Sequence, residues 1–377
     1  MKISEFDFVI VGTGFYGSTL AYLLSEIDKK ILIIDKRNHV GGNAYSYINS
    51  QTNIQVHQYG THIFHTNNKQ IWEFVNQFTK FEKYNHEVVI LNSGKFYNLP
   101  VSLLTLEQIF GSPLNINEIN REIENDRKSL KNFDSLENWA ISQVGRRVYD
   151  VLFAGYTRKQ WGMNGDQLPA SIIKRLPIHQ NQSKSYFTDE FQGIPKTSYE
   201  TLFLNMLNAK NIRVQLNTDF INIREYLTPQ QVVIYTGPLD SYFDYCNGYL
   251  TWRKSLFEFK KINTKSFQSH AVVNFADSDL AYTRIHEFRK LLPKDNYTDQ
   301  SIISIESSIA ANSSDDPYYP INNESNYEIY QHYLRMAKKE KNLFVGGRLG
   351  SFQYLDMHMA INQAFKTFSE IRTLCKV

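Results

Sequence analysis

The glycine run Gly12-Thr13-Gly14-Phe15-Tyr16-Gly17 restricts the fold of this chain more than any other segment, because of what stands on either side of it. Before it, residues 6–11 (Phe-Asp-Phe-Val-Ile-Val) form a near-continuous apolar run; after it, Leu20, Ala21, Leu23, Leu24 and Ile27 recur at helical spacing. Strand, tight turn and helix follow in that order. Ile31 to Ile34 reads as a second buried strand ending in Asp35, so the segment predicts a βαβ unit with a parallel sheet.

That context turns a weak glycine motif into a dinucleotide site. Gly12 permits the tight turn, Gly14 lets the backbone approach a pyrophosphate and Gly17 allows close helix packing, while the helix N-terminus offers unpaired N–H groups to phosphate charge. Asp35 stands where a carboxylate accepts hydrogen bonds from both ribose hydroxyls of an adenosine, and its charge argues against a 2′-phosphate. The next segment, Arg37-Asn38-His39-Val40-Gly41-Gly42-Asn43, resembles the extended FAD fingerprint of amine-oxidase and glutathione-reductase-like flavoproteins. Gly41 and Gly42 would let a second stretch of backbone close over the dinucleotide. Tightly held FAD is the cofactor this implies.

Composition narrows the remaining classes. The net charge of the 377-residue chain is +3, with lysines and arginines spread rather than blocked, so no nucleic-acid or polybasic membrane footprint is evident. Cys246 and Cys375 have neither the number nor the spacing for a disulfide framework or a zinc site, which fits a reducing, cytoplasmic setting. No apolar stretch is long enough to span a bilayer, and no stable membrane insertion is expected. With Tyr 24, Phe 25 and Trp 4, the chain is rich in rings that stack flat ligands and hydroxyls that donate hydrogen bonds.

Farther along, residues 101–165 become charged and helical in pattern, for example over Asn117 to Leu130 and Ser135 to Val151. Strand-like segments return at Glu87 to Leu91, Leu256 to Phe259, Ala271 to Phe275 and Ser301 to Ile305, predicting a mostly antiparallel sheet. Val232 to Tyr235 before Thr236-Gly237-Pro238, and Leu343 to Val345 before Gly346-Gly347-Arg348, have the form of strands that return to the first sheet. The expected fold class is α/β, an α+β multidomain chain. It comprises a discontinuous FAD-binding Rossmann-like domain (1–80, 198–246 and 330–377), an inserted helical domain (101–165) and an antiparallel β-sheet substrate domain (81–100, 166–197 and 247–329). Asn312 to Asp316 reads as a long exposed loop.

The details then narrow to one family. His57-Gln58-Tyr59-Gly60-Thr61-His62-Ile63-Phe64-His65-Thr66, Gly155-Tyr156-Thr157-Arg158-Lys159-Gln160-Trp161-Gly162 and the run Leu168 to Pro177 resemble segments of bacterial UDP-galactopyranose mutases. Tyr186-Phe187, Tyr235-Thr236-Gly237-Pro238, Tyr282-Thr283-Arg284, Pro317-Tyr318-Tyr319-Pro320, Gly346-Gly347-Arg348 and Tyr354-Leu355-Asp356-Met357-His358 follow in the family's order. The resemblance covers almost the whole chain. It implies an intramolecular transferase, a mutase that interconverts UDP-galactopyranose and UDP-galactofuranose through a covalent flavin N5–sugar intermediate and supplies furanose for cell-surface polysaccharide. It also implies FAD active in its reduced form, an electron donor such as NAD(P)H or a reductase, and a homodimer.

The site residues carried over by the resemblance are Arg175 and Arg284 flanking the diphosphate, and His62 beside the flavin. Tyr186, Tyr319 and Tyr354 are assigned to phosphate, Tyr156 to uracil, and Trp161 and Asn274 to the sugar pocket. Around the cofactor it implies Gly12, Gly14, Phe15, Gly17, Asp35, Lys36, Gly41, Gly42, Asn43, Tyr59, Gly60, Thr61, His62, Ile63, Thr236, Gly237, Gly347, Arg348, Tyr354, Asp356 and Met357. No metal is expected: His57, His62 and His65 lack an evident helix, a general-base glutamate and a further ligand motif. A cofactor that carries the difficult step also accounts for the lack of a nucleophile elbow or a catalytic carboxylate pair.

Two stretches depart from the family pattern. Thr61 replaces a smaller alanine, and His86 with Glu87 occupies a sugar-proximal stretch where asparagine and serine are frequent. Both bear on the pocket near the hexose C2, so UDP-N-acetylgalactosamine, or both sugars, enters as an alternative substrate. An FAD-dependent amine oxidase or desaturase would share Gly12 to Gly42 but needs an apolar substrate channel rather than paired arginines. A flavin-containing scaffold would leave those arginines on unrelated surfaces.

Overall fold

Phe8, Val9 and Ile10 of strand β1 (Phe8–Val11) and all four residues of β2 (Ile31–Ile34) are buried, as a parallel sheet covered on both faces requires. This computed structural model describes residues 2–174, 178–292, 297–312 and 315–375. Helix α1 (Phe15–Ser25) connects the two strands. The sheet has five parallel strands in the order Ile212–Gln215, β2, β1, Val232–Tyr235, Leu343–Val345, with Phe8 in register with both Ile31 and Val232. Both late segments therefore return to the first sheet, as their sequence form implies.

Period-two alternation divides its core. Phe8, Ile10, Ile31 and Ile33 pack with Leu20 and Leu24 of α1 and with Ile361, Ala364 and Ile371 of the helix Met357–Cys375. Val9, Leu32 and Ile34 face the other way, onto Tyr330, Tyr333 and Phe352. Each fully buried leucine or isoleucine contributes about 2 kcal/mol of transfer free energy.

A second sheet of seven strands has the order Tyr319–Pro320, Trp252–Ile262, Ser301–Ala310, Arg284–Glu287, Val272–Phe275, Val88–Asn92, Lys95–Leu99. All its neighbours are antiparallel except Val272–Phe275 with Val88–Asn92, which run parallel. The four strand-like segments read from the sequence all lie in this sheet.

Between residues 103 and 161 the chain is helical. Ile116–Ser129 matches the expected helix closely, but the span expected over Ser135 to Val151 is broken. Leu136–Val144 ends where Gly145 takes φ 82°, a left-handed conformation that glycine adopts without a Cβ penalty. Arg146–Tyr149 then restarts the helix, and Asp150–Ala154 winds as a π turn before Gly155–Trp161. That wider turn delivers Tyr156 toward the seven-stranded sheet, and the Gly155 Cα packs onto the Ala276 backbone where no side chain fits. Among the described residues, no helix is long and apolar enough to cross a membrane.

Candidate active site

The turn after β1 forms the floor of a cavity of about 570 Å³. Gly12 has φ 102°, and a Cβ there would collide with the Thr236 hydroxyl, which donates to the Val11 carbonyl at 2.7 Å. Gly17 is pressed against the Gly12 carbonyl, so it too excludes a side chain. Gly14 differs: a Cβ on it would meet no protein atom within 4 Å. It is the N-cap of α1, no side chain caps that helix, and its first turn carries no acidic residue. Open space beside uncapped N–H groups fits an anionic pyrophosphate.

Asp35 is 8% exposed on the same wall. One carboxylate oxygen accepts from the Thr13 N–H and hydroxyl, and the other accepts from the Arg37 N–H at 3.0 Å. The oxygen that takes the Arg37 N–H keeps a lone-pair position for a ribose hydroxyl. Gly41 and Gly42 have φ 93° and 55°, and a Cβ on Gly42 would stand 3.3 Å from the Gly14 Cα. The second glycine pair thus brings its backbone directly over the first. Lys36 and Arg37 both engage Asp316, while Lys254 holds Asp315 at 2.6 Å. Asp315 and Asp316, expected on a free loop, are pinned to the cavity rim instead, because two lysines and an arginine face them.

The cavity brings together many residues expected around the cofactor: Gly12, Gly14, Phe15, Gly17, Asp35, Lys36, Gly41, Gly42, Asn43, His62, Thr236, Gly237, Gly347, Arg348 and Met357. Tyr59, Gly60, Thr61, Ile63, Tyr354 and Asp356 are not part of this lining. The Tyr59 hydroxyl is 2.8 Å from His39 Nε2, and its carbonyl accepts from the Tyr318 hydroxyl at 2.6 Å. Ile63 is in a core cluster with Phe288 and Ile302. Trp252 lines the cavity, and its Nε1 is buried without a hydrogen bond to the protein, a feature that sequence reading did not single out.

His62 connects this cavity to a second cluster. Its Nδ1 lies 2.8 Å from the Gly60 carbonyl and so carries the proton, which makes Nε2 the acceptor of the neutral ring. Burial, followed by the positive charge of Arg348, lowers its pKa to about 4 despite the Gly60 contact. Arg348 donates to the Leu355 carbonyl at 2.9 Å and lies 4.7 Å from the Tyr354 ring centroid. Tyr354 stacks on Tyr319 at 5.7 Å, and Tyr319 reaches Trp161 at 6.0 Å. Three of the rings expected to meet substrate are therefore consecutive neighbours on one wall.

Arg284 opens the strand Arg284–Glu287 of the seven-stranded sheet. Asn274 is its cross-strand partner on one side and Glu306 on the other. Its guanidinium contacts Glu306 at 3.4 Å and also the Tyr156 hydroxyl, so the latter bonds the arginine. Glu306 is 1% exposed; burial pushes its pKa up, but Arg284 and His286 outweigh that and hold the carboxyl below its ordinary value. The Asn274 Oδ1 is buried without a hydrogen bond, as is the His86 Nδ1. Burial, then His286 and Arg284, lowers the His86 pKa to about 3. The Tyr186 N–H donates to the His86 carbonyl, and their rings meet edge to face. Arg175 lies outside the described residues.

Two polar residues here escaped sequence reading. His286 follows Arg284 by two positions, hence on the same strand face, and Glu306 is the one charged residue in the isoleucine- and serine-rich strand Ser301–Ala310. A single charged residue in a strand of isoleucines, serines and one alanine was the available signal.

The comparisons with known proteins agree with this geometry. A family model for UDP-galactopyranose mutase matches residues 151–354, and one for an NAD(P)-binding Rossmann-like domain matches residues 10–78. A Klebsiella pneumoniae protein named "Probable UDP-galactopyranose mutase" is 37% identical over 365 residues, covering 97% of this chain and 94% of its own. An Escherichia coli dTDP-fucopyranose mutase is also 37% identical, over 95% of this chain and 96% of its own. A crystal structure of reduced UDP-galactopyranose mutase superposes with TM-score 0.74 at 11% identity, covering 98% of this chain and 94% of the other. At that identity the structural likeness speaks for the fold alone; the sequence relatives and the family model settle the lineage. The chain belongs to the UDP-galactopyranose mutase family.

Proposed function

We propose that the protein is an FAD-dependent mutase that interconverts the pyranose and furanose forms of UDP-galactose. The observation that carries this reading is the physical continuity between two sites. The glycine-lined cavity, which His62 also lines, shares Arg348 with a wall of Tyr354, Tyr319 and Trp161, and Arg284 lies on the seven-stranded sheet.

Reduced flavin supplies the nucleophilic nitrogen for the sugar's anomeric carbon, and the protein has to hold the departing diphosphate. Arg284 suits that task. Glu306 and the Tyr156 hydroxyl each engage one terminal nitrogen, which leaves further N–H groups on the guanidinium for phosphate oxygens. Arg175 is the second arginine in this reading. The neutral His62 offers Nε2 as an acceptor near the cofactor without adding a competing cation, and Asn274 with His86 lines the hexose. Tyr186, Tyr319 and Tyr354 serve the phosphates, and Tyr156 stays beside the uracil.

The sugar has three candidates. UDP-N-acetylgalactosamine follows from Thr61 and His86, and a dTDP-linked 6-deoxy sugar follows from the equal identity to the Escherichia coli dTDP-fucopyranose mutase. The enzyme would work in the cytoplasm, as a homodimer kept reduced by NAD(P)H or a reductase. The test is chromatographic turnover of UDP-galactofuranose, UDP-N-acetylgalactofuranosamine and dTDP-fucofuranose by the holoenzyme before and after dithionite reduction. Conversion only after reduction, fastest for UDP-galactofuranose, is expected. No conversion of any of the three by flavin-loaded protein would overturn the reading.

A further inference from the structure

Behind Arg284 lies a buried chain of polar groups that ends at Thr61. The Thr61 N–H and hydroxyl lie 3.3 and 2.9 Å from His286 Nδ1. A backbone N–H can only donate, so Nδ1 is an acceptor and the ring proton sits on Nε2. That Nε2–H points at a Glu306 carboxylate oxygen 3.0 Å away, and the same oxygen takes Arg284 at 3.4 Å. Ser255 donates to the other Glu306 oxygen at 3.2 Å. His286 and Glu306 are each 1% exposed. Two protein donors on Nδ1 leave that nitrogen no position for a proton, so the histidine serves as a fixed neutral donor.

We propose that His286, held by Thr61, is a positioning residue for the reaction: it orients Glu306 so that the Arg284 guanidinium is presented to the substrate diphosphate. The geometry supports each link. Glu306 stands directly across the antiparallel ladder from Arg284, and His286 is the next residue on the same face as Arg284, so one carboxylate oxygen receives both. Without the histidine that oxygen would have the arginine alone, and the carboxylate could turn about its last torsion. Thr61 thereby acquires a role different from reaching the hexose: its hydroxyl is spent on His286, and its bulk relative to alanine is what reaches that ring.

This inference rests on the reading of Arg284 as the diphosphate ligand. Three variants separate the links. His286→Phe keeps the ring volume and removes both polar contacts; His286→Gln restores an amide donor near the Nε2 position; His286→Asn restores only an acceptor near Nδ1. Each is compared with wild type for flavin content, thermal midpoint, affinity of the oxidised holoenzyme for UDP and dTDP by calorimetry, and kcat and KM on the best sugar.

The expected result is at least a tenfold loss of nucleotide affinity and a raised KM for His286→Phe and His286→Asn at unchanged flavin content, with His286→Gln within about threefold of wild type. If His286→Phe does not fold, the Gln and Asn pair decides. Equal affinity in Gln and Asn variants, or retained wild-type affinity in all that fold, would overturn the proposal. Wild-type protein that binds a nucleotide yet converts no sugar would overturn the functional reading and leave the affinity comparison decisive here; failure to bind either nucleotide would overturn both.

Discussion

Thr13 donates its hydroxyl to Asp35 at 2.6 Å and its backbone N–H to the same carboxylate oxygen at 2.9 Å, tying the phosphate turn to the end of the neighbouring strand. The other oxygen takes the Arg37 N–H. A carboxamide has one acceptor oxygen, so in Asp35→Asn the NH2 group faces a backbone donor whichever way it turns. That mismatch costs about 1–3 kcal/mol. The expected outcome is a fall in the thermal midpoint together with loss of flavin during purification, read by melting and by absorbance.

Gly14 and Gly17 should separate cofactor binding from folding. A Cβ on Gly17 has nowhere to go, because the Gly12 carbonyl occupies its place, whereas Gly14 has open space and an ordinary φ of −69°. Gly17→Ala is expected to destabilise the protein by about 1–3 kcal/mol. Gly14→Ala is expected to leave the melting of the apoprotein unchanged and to lower flavin affinity, measured by titration of apoprotein with FAD. Unchanged FAD affinity in Gly14→Ala would place the pyrophosphate elsewhere.

Arg284→Ala removes the charge that Glu306 and Tyr156 hold in place. Turnover should fall by about 10²–10³-fold while bound flavin remains, since Arg284 is on the seven-stranded sheet and is not part of the cofactor cavity lining. Arg284→Lys should recover little, because a point charge cannot reproduce the fork geometry. Arg175→Ala should resemble Arg284→Ala if both arginines meet the diphosphate. Steady-state kinetics with dithionite-reduced enzyme tests all three.

Stability should fall on mild acidification. His62 and His86 have pKa values lowered to about 4 and about 3 from an ordinary 6.5, mainly by burial. A depressed histidine stays neutral in the fold while the unfolded chain takes up a proton. The associated stability is complete above the unfolded pKa of 6.5 and is lost as pH falls from there toward the folded value. Between about pH 7.5 and about pH 5.5 each such histidine removes about 1 kcal/mol. Urea midpoints at the two pH values check this, and His86→Phe should show a smaller loss than wild type.

The sequence was most legible where local rules act alone. The turn from Gly12 to Gly17 is dictated by backbone sterics between an apolar strand and a helix, and the two late strands announce themselves by apolar runs followed closely by glycine. The helix break at Gly145 was less legible, because a glycine inside an apolar-periodic stretch reads equally as a tolerated defect or as a C-cap. Its φ of 82° settles it as the latter.

Amino-acid order by itself determined the Rossmann-like unit and the antiparallel sheet segments, since short-range periodicity and motif spacing are properties of consecutive residues. Tertiary structure alone decided what Thr61, His286 and Glu306 do. These residues are separated by 225 and 20 positions, and their hydrogen bonds exist only because strand register sets Arg284 opposite Glu306 and the segment before His62 folds back onto that strand. Register and long-range packing are set by the summed burial of many apolar side chains, and no local window of sequence contains that sum.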